Sequence, residues 1–174
     1  MSIDNLKSHI KDYAKDIRLN LGSVLDTGSE GLSKSQVAQI AIASAYATNN
    51  EIVINEIIDE FASQVSEGEL EAAKSAATIM AMNNIYYRTI HFTGDDEYMK
   101  MSAGLRMQVI ASHGIDKTDF ELTSIAVSSI NGCEFCVKSH VAKVAAEGVT
   151  KQGIQSTIKI AAVLSAAAQA IVIG

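Results

Sequence analysis

The sequence contains no proline and no tryptophan, and only two of its 174 residues are cysteine. Without proline, and without Ser-rich or charge-rich runs, it lacks the composition of a disordered linker. It reads as one folded domain over residues 1–174. Aromatic residues make up only 5% of the chain, while 48% is hydrophobic and alanine is abundant. Small side chains of this kind favour close contact between helices. A formal net charge of −6 leaves no basic footprint for nucleic acid or an anionic membrane surface, so neither is expected as a partner. The opening residues "MSIDNLKSHIKDYAKDI" lack the apolar run of a secretory signal. The longest apolar stretch, "IAAVLSAAAQAIVIG" at 160–174, is shorter than the roughly 20 residues that span a bilayer, and it carries Ser165 and Gln169. It reads as a buried helix or a subunit contact, and a cytoplasmic location is expected. In a reducing cytosol, two nearby cysteines point to catalysis or metal binding rather than a structural staple.

Alternation of period two is weak throughout, whereas helical spacing is common. The spacing predicts helices over 2–20, 34–47, 50–65, 69–90, 97–111, 119–130, 133–147 and 151–172. Gly22, Gly68, Gly94, Gly114 and Gly148 fall at helix ends or in the joining loops. Capping-box spacing marks three starts: Ser33-x-x-Gln36, Ser66-x-x-Glu69 and Thr118-x-x-Glu121. An all-α helical bundle is predicted, and the missing βαβ strands argue against a thioredoxin fold. The halves resemble each other. "IAIASA" at 40–45 aligns with "IAVSSI" at 125–130, an offset of 125 − 40 = 85 residues, and "KSAATIMA" at 74–81 aligns with "KIAAVLSA" at 159–166 at the same offset. A duplicated unit over about 33–90 and 118–174 is therefore expected, with Ser33 matched to Thr118 and Gln36 to Glu121. The register sets Thr48 and Glu51 opposite Cys133 and Cys136, and Asn55 opposite His140. The first half has the scaffold without the chemistry.

That chemistry lies in "NGCEFCVKSHVAKVAAEG" at 131–148. Asn131-Gly132 signals a turn, which puts Cys133 at the N-cap of a helix, exposed on that turn, and Cys136 in the first helical turn. Unpaired backbone N–H groups and the positive end of the helix dipole there favour thiolate over thiol. Cys133, Cys136 and His140 share one helical stripe, with His140 one turn behind Cys136, where it can exchange a proton. The two thiols can close a disulfide across a single turn and cycle with the dithiol. Zinc is the rival reading: two thiols, His140 and Glu121 would supply the four ligands of a closed site, since His9, His91 and His113 belong to no motif. Simple packing of buried cysteines is the third. Glu121, on the preceding helix, either orients His140 or serves as the third residue of the capping box begun by Thr118.

With these residues in hand, the chain resembles the alkylhydroperoxidase D family of the carboxymuconolactone-decarboxylase-like superfamily. The resemblance runs nearly end to end, through "YAKDIRLNL" at 13–21, "AATIMAMNNIYYR" at 76–88, "GLRMQVIASHGIDK" at 104–117 and "FELTSIAVSSINGCEFCVKSH" at 120–140. It implies a helical fold of two similar halves and a homo-oligomer, typically a trimer. It also implies an antioxidant thiol peroxidase that reduces alkyl hydroperoxides. Such a protein passes electrons to a partner peroxiredoxin from dihydrolipoamide on a lipoyl-bearing acyltransferase, with no bound cofactor or metal. Carried over residue by residue, Cys136 is the attacking thiol that passes through a sulfenic acid. Cys133 is the proton donor and resolving thiol, and Glu121 and His140 form a proton relay through a water. The family pattern has a histidine next to the second cysteine, where this chain has Phe135. A decarboxylase-like activity on the same fold would leave the cysteines as bystanders.

Overall fold

Nine α-helices and no strand make up the described part of the chain in the computed structural model, which covers residues 2–27 and 29–174. They are α1 (Ser2–Ser8), α2 (Lys15–Gly22), α3 (Lys34–Thr48), α4 (Glu51–Phe61), α5 (Glu67–Phe92), α6 (Glu97–Lys100), α7 (Lys117–Ile130), α8 (Glu134–Ala146) and α9 (Lys151–Ile173). The local chemistry of their starts is explicit. Ser33 and Gln36, and Ser66 and Glu69, form reciprocal capping boxes at α3 and α5. The Asn50 side chain accepts from the N–H groups of Ile52 and Val53 at α4, and Thr150 accepts from that of Gly153 at α9. Between α3 and α4, Asn49 takes the left-handed conformation at φ 54°, which asparagine tolerates better than most residues.

Two helices form the centre. Every residue from Val37 to Ala45 in α3 and from Phe120 to Ser128 in α7 is buried, so these helices are covered on all sides. The central α7 packs against α3, α5, α8 and α9. The core is mostly Ala, Ile, Val and Leu, as the composition requires. The helix starts Lys34, Glu51 and Glu67 are followed at a near-constant offset by Lys117, Glu134 and Lys151. α9 is long and apolar enough to cross a membrane by length and composition alone, with a mean hydropathy of 1.7. Its buried stripe, which includes Ile160, Leu164 and Ala168, faces α2, α3 and α7 instead.

Several predicted elements differ. The helix expected over 2–20 breaks between α1 and α2, because Arg18 donates to the Ile10 carbonyl at 3.0 Å and to Asp12 at 2.8 Å, pinning a turn that buries Leu6 and Ile10. That expected over 50–65 ends at Phe61 and tightens into a 3₁₀ turn, Ala62–Gln64. The helix expected over 97–111 is confined to Glu97–Lys100, followed by a segment without regular secondary structure and a 3₁₀ turn at Gln108–Ile110. Gly104, at φ 63°, lies in the gap. The third capping box is absent. Asp116 caps α7, accepting from the N–H groups of Thr118 and Asp119, and Glu121 is buried one turn further in.

Candidate active site

α7 ends at Ile130, and the chain reverses through Asn131-Gly132. Gly132 sits at φ 68°, a conformation a side chain would strain. The Cys133 N–H donates to the Ser128 carbonyl at 3.1 Å, closing the turn. Cys133 is then the N-cap of α8, and its sulfur accepts from the Cys136 N–H at 3.3 Å. The two sulfurs are in bonded contact, with Cα atoms 5.3 Å apart, within the range of a disulfide.

The turn is tied to α5 by a buried polar network. Asn84 donates to the Ser128 hydroxyl at 2.9 Å and accepts from Asn131 at 3.0 Å, while the Arg88 guanidinium donates to the Asn131 carbonyl. The expectation that Cys133 lies exposed on the turn is incorrect. Its accessible surface is 0%, because it is folded under the α7–α8 corner, whereas Cys136 retains 5%.

His140 lies one turn behind Cys136 on the same face of α8. Its Nδ1 meets Glu121 Oε2 at 2.5 Å, and both side chains are buried. The second carboxylate oxygen accepts from Lys143 Nζ at 2.8 Å. Burial pushes the Glu121 carboxyl up, but the hydrogen bonds and positive charge of His140 and Lys143 outweigh it. The group is held below the ordinary value of 4.5. Glu121 is therefore an acceptor toward Nδ1–H, which leaves Nε2 as the second ring nitrogen of His140. Sequence reasoning brought Cys133, Cys136, His140 and Glu121 together and missed Lys143. A signal was present: 136, 140 and 143 continue one i, i+4, i+7 stripe.

Beside Cys136 lies a cavity of about 180 Å³ between α5, α8 and the 3₁₀ turn at Gln108–Ile110. Cys136, His140 and Lys143 line it and Cys133 does not. Its apolar wall includes Met80 and Met107. Phe135 also lines it, stacked on Tyr87 with ring centroids 5.4 Å apart and planes at 27°. Phe135, in the place of the family histidine, is thus an apolar wall rather than a proton carrier. A larger cavity of about 530 Å³ between α1, α3 and α4 contains neither cysteine nor His140.

Of the other histidines, His91 faces Glu134 at 3.9 Å, and His113 stacks on Phe120 with centroids 4.3 Å apart. Among the described residues, no group of three or more His, Cys, Asp or Glu side chains is arranged to hold a metal ion.

Comparison with known proteins fits this geometry. The carboxymuconolactone decarboxylase family profile matches residues 96–172, the part that carries both cysteines and His140. Over nearly the whole length the chain is similar to proteins named alkyl hydroperoxide reductase AhpD. That of Rhodospirillum centenum is 48% identical over 168 residues, covering 97% of this chain and 89% of the relative. That of Coxiella burnetii (strain RSA 493 / Nine Mile phase I) is 47% identical over 172 residues, covering 98% and 97%. That of Streptomyces coelicolor is 49% identical over 166 residues, covering 95% and 92%.

Proposed function

The chain belongs to the AhpD family of carboxymuconolactone decarboxylase-like proteins, and from that premise we propose that it is an antioxidant thiol peroxidase reducing alkyl hydroperoxides. The observation that carries the reading is the asymmetry of the cysteine pair: Cys136 faces the cavity beside His140, and Cys133 is buried behind it.

In the reduced enzyme, the Cys136 thiolate attacks the terminal oxygen of the hydroperoxide. An S–O bond forms, the O–O bond breaks, and the alkoxide leaves with the electron pair and takes a proton to become an alcohol. Cys136 becomes a sulfenic acid. Cys133 then attacks that sulfur, the S–S bond forms, and hydroxide leaves as water with the proton Cys133 gives up. Position at the start of α8 favours both thiolates, through the helix dipole and the free N–H groups of its first turn. His140 moves the protons through Nε2, while Glu121 fixes Nδ1 as the protonated nitrogen and balances the imidazolium that forms transiently. Lys143 keeps Glu121 ionised for that task.

A two-electron dithiol must reopen the disulfide. Dihydrolipoamide, carried on the lipoyl domain of an acyltransferase, is the proposed donor, and an oxidised peroxiredoxin is the proposed further acceptor. The cysteine cycle needs no bound cofactor and suits a reducing cytoplasm. The test is direct. Reduced protein should show two titratable thiols, lose both to one equivalent of tert-butyl hydroperoxide, and turn over when dihydrolipoamide is supplied. Thiols that survive the peroxide would sink the proposal.

A further inference from the structure

Two buried asparagines stand side by side in α5, and only one is used by the fold. Asn84 is hydrogen-bonded to Ser128 and Asn131. Asn83, 4% exposed, has its Oδ1 buried with no hydrogen-bond partner among the described residues. Gln39 and Ser44 also hold unpartnered oxygens, but they lie away from the cavity, whereas Asn83 lines it together with Cys136. A buried acceptor without a donor is costly, on the order of 1–3 kcal/mol, and a fold free to choose would place an apolar residue there. Of the other polar groups of the wall, His140 Nδ1 and Lys143 Nζ are bonded to Glu121, the Tyr87 hydroxyl donates to Met107 Sδ at 3.9 Å, Ser139 lies at the surface, and His140 Nε2 is the nitrogen that moves the protons of the reaction above.

We infer that Asn83 is the residue that binds and orients the hydroperoxide: a turn of its carboxamide about the Cβ–Cγ bond brings the sealed Oδ1 into the cavity, where it accepts the hydrogen bond of the terminal O–H. The inference rests on the peroxidase reading above. An alkyl hydroperoxide has a single hydrogen-bond donor, its terminal O–H, and that oxygen is the one a thiolate attacks. An unpartnered acceptor in the wall that also holds Cys136 selects the O–OH end, because neither an ether nor a dialkyl peroxide can satisfy it. Holding that oxygen toward Cys136 leaves the alkyl group for the Met80, Met107 and Phe135 side. Asn83 falls at i+3 from Met80 and i−4 from Tyr87, so one stripe of α5 supplies both the polar anchor and part of the apolar wall.

The experiment compares reduced wild type with Asn83→Leu, a substitution of similar volume that removes the carboxamide. Rapid quench and mass spectrometry give the second-order rate constant for tert-butyl hydroperoxide. Methyl methanethiosulfonate, which offers no O–H, reports thiolate reactivity and access alone. The expected result is a peroxide rate lowered at least roughly tenfold, the loss of one buried hydrogen bond. The methanethiosulfonate rate stays within about threefold, and the melting temperature is at or above wild type, since an unpartnered polar atom has gone. Three results would overturn the inference: a peroxide rate within about threefold of wild type, both rates falling together, or a melting temperature lower by more than about 5 °C, which marks Asn83 as structural. Should the leucine variant fail to fold, Asn83→Ala is read by the same two rates. A wild type that peroxide does not oxidise removes the peroxidase reading and this inference with it; an active wild type beside an unaffected variant removes the inference alone.

Discussion

At the scale of the residue, the two cysteines are distinguishable by burial before they are by chemistry. Cys136 borders the cavity and Cys133 does not. Cys136→Ser should abolish peroxide reduction, because the remaining thiol is sealed from the cavity. Cys133→Ser should react once and stop as a sulfenic acid or mixed disulfide. Mass spectrometry after one equivalent of peroxide decides the matter, and oxygen found on Cys133 in the wild-type protein would reverse the roles.

Glu121 offers a sharper residue-scale test. Both Thr118 and Asp116 precede it, and the sequence favoured the first as a cap. The structure gives the cap to Asp116, so the start of α7 does not depend on Glu121. Because the folded state holds the Glu121 carboxyl below 4.5, its ion pairs stabilise the fold above that value, and this stability is lost as pH falls through the lower folded value. Glu121→Gln should therefore show a flatter loss of thermal stability on acidification below about pH 4.5 than wild type. At neutral pH its peroxidase rate should drop at least roughly tenfold, within the usual range of general acid–base contributions. A neutral-pH rate like that of wild type in a folded variant would leave His140 to act without it. Lys143→Met removes one of the two groups that lower the carboxyl, so the acid limb of the pH–rate profile should move to higher pH; an unmoved limb would show that His140 alone holds Glu121 ionised.

At the scale of the element, what could be read from the sequence was what local chemistry decides. Ser33 with Gln36 and Ser66 with Glu69 announce α3 and α5, and both boxes close as expected. Cys-x-x-Cys followed by His140 announces the start of α8 and its reactive stripe. Legibility failed where distant partners decide. Arg18 breaks the first predicted helix by reaching back to Ile10, a contact no periodicity encodes. Residues 101–107 carry apolar spacing, but Met101 and Leu105 meet no core, and a short helix without a packed face does not persist. Lys143 and Asn83 were missed because each matters through something from another helix: the Glu121 carboxylate in one case, the Cys136 cavity in the other. Packing between elements also sets the cost of change. At Gly153, in the first turn of α9, a Cβ would sit 2.7 Å from the Gly31 carbonyl oxygen. Alanine gains about 1 kcal/mol of helix propensity over glycine, yet overpacking against rigid backbone costs about 1–3 kcal/mol. Gly153→Ala should thus lower the melting temperature despite its better propensity; a rise would mean the 29–32 loop yields freely.

At the scale of the whole molecule, the surface is uneven in a way the composition anticipated only in part. The apolar stretch over 160–174 was expected to be a buried helix or a subunit contact. One face of that helix is used inside the subunit, with Ile160, Leu164 and Ala168 in the core, while Ala162, Gln169, Val172 and Ile173 are exposed. The uncovered apolar side chains are concentrated instead along the second half of α5 and the segment after it: Ile85, Phe92 at 74% exposure, Tyr98, Met99, Met101 at 64% and Leu105. Of the residues whose spacing suggested a helix over 97–111, Tyr98, Met99, Met101 and Leu105 are exposed, whereas Ile110 packs against the core. Exposed patches of this kind mark association surfaces when they exceed a few hundred Å². We expect sedimentation velocity at micromolar concentration to show a species well above the 18.5 kDa of one chain. We expect Phe92→Asp with Met101→Asp to shift it toward the monomer, since two charges desolvated in an apolar contact oppose association. Because this segment leads directly into Met107 and Ile110 of the cavity wall, loss of the oligomer should also lower the peroxide rate while leaving thiol alkylation intact. A wild type that sediments as a clean 18.5 kDa monomer would show that this surface has no partner copy.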